Sequence, residues 1–127
     1  MADGTQVLVV DRCEETREVL RTVLQRQAVQ ILATGLPHRG LELARRHHPD
    51  LIVLDLEIGD PSSGCLGPLL EKSRQNATPV VLLGRARRGS PAGPAADRLA
   101  KPYHYGPLIR KIEQLLNRAA RTVARSA

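Results

Sequence analysis

At 127 residues the chain suits one compact domain, and with 42% apolar and 25% charged residues it is excluded from the class of chains disordered by composition. Two Tyr, no Phe and no Trp leave Leu, Val, Ile and Ala to build the core. The net charge of +6 comes mostly from Arg scattered over helical stretches, with two denser patches at Arg85, Arg87 and Arg88 and at Arg118, Arg121 and Arg125, and no aromatic residues interleave with them to stack on bases. A solvated basic face is therefore expected over a nucleic-acid site.

No apolar run approaches the roughly 20 residues of a membrane span, and residues 1–6 lack the apolar stretch of a signal peptide. Cys13 and Cys65 are then expected to be reduced thiols of a cytoplasmic protein. In chain order, residues 1–4 read as a short tail, and Val7-Leu8-Val9-Val10 follows as a continuous apolar run. Such a run suits a strand buried on both faces of a parallel sheet. Val19, Leu20, Val23 and Leu24 recur at helical spacing behind Glu14 and Glu15, which suit the positive end of a helix. Val29 to Ala33 reads as a second strand, and Pro37 to His47 as a helix with Pro in its first turn.

Leu51-Ile52-Val53-Leu54 is the next buried run, followed by a helix from about Cys65 to Arg74 whose start is weakened by Gly67 and Pro68. Val80-Val81-Leu82-Leu83 is a fourth strand. Residues 84–97 then hold three Gly, two Pro and no large apolar residue, so a loop or a short, irregular helix is expected there. Arg98-Leu99-Ala100 is a brief fifth strand. Leu108, Ile109, Ile112, Leu115, Leu116 and Ala119 stripe the last helix, with residues 120–127 as a helical extension or tail. Strands alternating with helices imply right-handed βαβ units and a doubly wound sheet, in a domain over about residues 5–119.

Ligands of such sheets bind outside the carboxyl ends of the strands. Those ends carry Asp11 and Arg12, Asp55, Gly84 and Arg85, and Lys101. Two carboxylates and a lysine at one edge suit phosphoryl or metal chemistry. The order Val9-Val10-Asp11, then His48-Pro49-Asp50-Leu51-Ile52-Val53-Leu54-Asp55, then Thr78-Pro79-Val80-Val81-Leu82-Leu83, then Leu99-Ala100-Lys101-Pro102-Tyr103 resembles the receiver domains of bacterial two-component response regulators. That resemblance implies a flavodoxin-like (βα)5 fold, a single domain with an irregular or shortened fourth helix. It also implies a phosphoacceptor at Asp55, a phosphoryl contact from Lys101, and Mg²⁺ positioned with help from Asp11. The partner would be a histidine kinase or another signalling protein.

The sequence departs from the family at four places. The second acid of the usual pair, a direct Mg²⁺ ligand, is Arg12, which cannot ligate a cation. The hydroxyl residue after the fourth strand is Gly84, and the switch aromatic of the fifth is Arg98. The fourth helix is the Gly/Pro-rich segment. Arg12 and Lys101 would balance Asp11 and Asp55 without a metal, so Arg12 is expected to fill the metal's space and fix Asp55. If Mg²⁺ binds, Asp11, Asp55 and Glu57 are its candidate ligands; otherwise no cofactor is expected.

No nucleophile–base pair accompanies the aspartates, so a signalling module is expected and not an enzyme. Within the family, two readings compete: a pseudo-receiver acting by protein contact, and a working phosphoreceiver. An anion- or nucleic-acid-binding module is the rival outside it. The output surface is expected around Arg98, Tyr103, Tyr105 and the last helix. His38, His47, His48 and His104 lack metal-ligand spacing and are expected at helix ends or in solvent.

Overall fold

The computed structural model describes residues 4–55, 66–84, 97–99 and 105–126, with side chains for 4–55, 68–84 and 105–118. The elements in chain order are β1 (Gln6–Val10), α1 (Glu14–Gln25), β2 (Gln30–Thr34), α2 (Pro37–His47), β3 (Leu51–Asp55), α3 (Leu66–Gln75), β4 (Val80–Leu83), β5 (Asp97–Leu99) and α4 (Tyr105–Ser126). All five strands pair in parallel in the order β2-β1-β3-β4-β5. This is the flavodoxin-like order, and its direction reverses between β1 and β3. The expected fold class holds. The expected irregular or shortened fourth helix falls on residues 85–96, outside the described residues.

The continuous apolar runs divide by strict alternation. Val7 and Val9, Leu51 and Val53, and Val81 and Leu83 pack with Leu20 and Leu24 of α1 and with Leu108, Ile112, Leu115 and Leu116 of α4. Leu8 and Val10, Ile52 and Leu54, and Leu82 pack instead with Leu43 and Ala44 of α2 and Leu69 and Leu70 of α3. Successive strand residues point to opposite faces, so each run supplies both layers at once. Fully burying one such side chain contributes about 2 kcal/mol.

Helix ends explain several boundaries. Pro37 opens α2, where its missing N–H costs nothing, and Arg45, Arg46 and His47 complement the helix dipole in the last turn. His48 ends the helix in the left-handed region at φ 48. Ala28 and Ala77 also take positive φ, at 62 and 54, in the turns after α1 and α3. On the inner side of α2, a Cβ added at Gly40 would meet Val10 Cγ2 at 2.7 Å. Glycine there lets the helix approach β1. α3 starts at Leu66 despite Gly67 and Pro68, because the first helical turn needs no N–H from a proline. α4 runs through Ala119 without a break to Ser126.

Candidate functional site

The sheet register brings the two aspartates together. Val10 pairs with Leu54, so the next residue on each strand, Asp11 and Asp55, stand side by side at the carboxyl edge. Asp55 falls in the row of Leu51 and Val53, which faces α1 and α4. Both side chains are almost wholly buried, at 1% and 3% exposure. Carboxylates this deep require compensation by charge or hydrogen bonds. The Asp11 backbone N–H continues the ladder by donating to Thr34 O at 3.0 Å. Asp11 Oδ1 accepts the Cys13 N–H at 2.8 Å. Asp11 thus also secures the entry to α1, through an Asx turn onto its N-cap residue.

Arg12 corrects an expectation. Its side chain is exposed, and it makes no ion pair with Asp11 or Asp55. It neither fills the space of a metal nor fixes Asp55. Solvation at the rim costs a guanidinium less than burial between two carboxylates, and the bend before α1 leaves the rim open to it.

Gly84 is buried and takes φ 94, a region that L side chains rarely adopt. The absence of a hydroxyl there is therefore built into the backbone. Glu57, Arg85, Lys101, Tyr103 and His104 lie outside the described residues, and Arg98 is placed only as a backbone position in β5. His38, His47 and His48 are exposed.

Cys13 is a free, exposed thiol at the N-cap of α1. The Thr16 hydroxyl, then the backbone N–H groups of Thr16 and Glu15, hold its pKa below the ordinary thiol value, against desolvation and the Asp11 charge. Thr16 itself is buried, and its Oγ1 lies 3.3 Å from the Tyr105 hydroxyl. Tyr105, expected on an output surface, is half-buried and packs against the α1/α4 core. Sequence reasoning missed Thr16 altogether, since nothing in a helical pattern marks which polar residue will meet a partner 89 positions away.

No group of three or more His, Cys, Asp and Glu gathers among the described residues. Mg²⁺ is commonly held by one or two carboxylates with waters and phosphate oxygens. Asp11 and Asp55 thus fit it as the two carboxylates of such a set. No helix among the described residues is long and apolar enough to cross a membrane.

No family model matches the chain. Over 126 residues it is 32% identical to the KDP operon transcriptional regulatory protein KdpE of Escherichia coli (strain K12), covering 94% of this chain and 55% of that protein. It is 25% identical over 118 residues to the cell cycle transcriptional regulator CtrA of Caulobacter vibrioides, covering 90% of this chain and 51% of that one. The chain thus spans about half the length of these curated relatives. Among solved structures, a response regulator receiver protein from Sinorhizobium medicae WSM419 superposes with a TM-score of 0.73 at 21% identity, over 91% of this chain and 96% of that one. In its sequence over nearly the whole length, and in its strand order, the chain is a receiver domain of the response-regulator family.

Proposed function

We propose that this receiver signals by protein–protein contact in the cytoplasm, with Mg²⁺-dependent phosphoryl transfer to Asp55 weakened relative to a receiver that has its full acid set. The carrying observation is the carboxyl edge of β1 and β3, where two buried carboxylates stand beside an exposed Arg12. A site one acid short binds a hard divalent cation more weakly. When bound, Mg²⁺ would neutralise charge on a transferring phosphoryl group, with Asp11 and Asp55 as its protein ligands. Gly84 adds to the case, since its backbone offers no hydroxyl and resists gaining one. The partner is a histidine kinase or another signalling protein. Its contact surface is the outer side of α4, where Arg110, Gln114, Asn117 and Arg118 are exposed, together with Arg98 of β5.

The competing reading is a working phosphoreceiver, favoured by the adjacency of Asp11 and Asp55 on neighbouring strands. An NMR titration with Mg²⁺, followed by beryllofluoride, separates the two. Weakened binding predicts amide shifts around Asp11 and Asp55 that are still unsaturated at about 10 mM Mg²⁺, with sparse beryllofluoride adduct. Saturation near 1 mM, with a stoichiometric adduct lost in Asp55→Asn, would establish the phosphoreceiver instead.

A further inference from the structure

We propose that a polar chain, Asp11–Cys13–Thr16–Tyr105, couples the aspartate pocket to the first turn of α4, so that what Asp11 holds is felt at the terminal helix. Its first link is the Cys13 N–H donated to Asp11 Oδ1 at 2.8 Å. Cys13 is the N-cap of α1, and its carbonyl accepts the Arg17 N–H at 3.2 Å, so the grip of Asp11 sets the position of that turn. The second link is the first turn of α1 itself, which carries Thr16 three residues after Cys13. The third is the Thr16 Oγ1 to Tyr105 hydroxyl contact at 3.3 Å, which joins the first turn of α1 to the first residue of α4.

Thr16 is 2% exposed, so its hydroxyl finds its partners inside the protein. The Thr16–Tyr105 contact is long for two hydroxyls, so a small shift of the α1 turn tightens or releases its hold. A shift of the α1 turn is therefore taken up at Tyr105, whose ring packs on the same core layer as Leu108 and Ile112. This route uses neither Gly84 nor Arg98, the positions at which the family's hydroxyl and aromatic are missing.

The chain goes beyond the proposed function, because it needs neither a metal nor a phosphodonor. The test records backbone amide shifts of the full chain for Asp11→Asn, in the wild-type and in the Tyr105→Phe background. Asp11→Asn is expected to move the amides of Tyr105 to Leu108, and Tyr105→Phe to reduce that movement by roughly threefold, as a coupled pair requires. Thr16→Val should reduce it likewise, and Thr16→Ser preserve it. Should Asp11→Asn fail to fold, the reverse reading serves: Tyr105→Phe alone should shift the Cys13 amide, and should not do so once Thr16 is Val. Equal α4 responses in both backgrounds, or a Cys13 amide indifferent to Tyr105→Phe, would show a static clamp between two helices and overturn the proposal. Magnesium behaviour does not enter either readout, so the two readings stand or fall separately.

Discussion

The two faces of the sheet are drawn from the same apolar runs, yet they are built differently. Against α2 and α3, the buried polar groups are answered within a few residues. Thr34 Oγ1 accepts the Leu36 N–H at 3.1 Å, and Ser73 Oγ donates to Leu70 O at 2.7 Å. Everything else there is close apolar packing, tight enough that α2 needs a glycine over Val10. Against α1 and α4, the buried polar groups among the described residues are Asp11, Asp55 and Thr16; Asp11 is met locally by the Cys13 N–H, but the Thr16 contact reaches across 89 residues to Tyr105. Local satisfaction makes a face that only holds. Long-range satisfaction makes a face in which a change at one group has somewhere to go.

Substitutions can break that contrast. Leu54, fully buried on the α2/α3 face, should lose about 3 kcal/mol of stability on change to Ala. Urea unfolding should register that loss while the α4 amides of the folded protein stay in place. Gly84→Thr, which restores a hydroxyl at the price of a threonine at φ 94, should destabilise by about 2 kcal/mol and leave Mg²⁺ affinity unimproved. A threonine tolerated without loss would mean that the backbone had not adapted to its absence.

Smaller effects sharpen the same comparison. Gly40→Ala puts a Cβ 2.7 Å from the stiff, fully buried Val10, so about 1–2 kcal/mol should be lost even after the helix-propensity gain. Its thermal midpoint should fall, with no change in the Thr16 or Tyr105 resonances. The smallest change has the opposite sign. Ala77→Gly relieves a positive φ after α3 and should gain about 0.5 kcal/mol, the strain removed slightly exceeding the added entropy of the unfolded chain. A loss there would show that the turn carries no strain.

Much of the fold was legible because parallel strands buried on both faces leave unbroken apolar runs. β1, β3 and β4 lie where Val7 to Val10, Leu51 to Leu54 and Val80 to Leu83 announce them. The weaker patterns drifted by one residue: β2 begins at Gln30 and not Val29, and β5 at Asp97 and not Arg98. The stripe of the last helix reads to Ala119 with residues 120–127 as a helical extension or tail, and α4 runs on as helix to Ser126, since Ala and Arg favour helix and no glycine or proline stops it. The side-by-side aspartates were legible from their place after two strands. The solvated Arg12 was not, because charge balance says what a pocket needs and nothing about which rotamer supplies it. Gly40 over Val10, the left-handed Ala28 and Ala77, and Thr16 against Tyr105 depend on distances between elements, and periodicity carries no such distances.

α4 has one further consequence. With 22 residues it is about 33 Å long, roughly twice the span of the five-residue strands beneath it. Its described core side chains, Leu108 to Leu116, lie along the first half. A tilt of about 10° about Leu116 would carry Ser126 some 2–3 Å, over an arm of about 15 Å. Tyr105 lies about 16 Å from Leu116 on the other side. A displacement there would arrive at Ser126 reversed in direction and nearly undiminished.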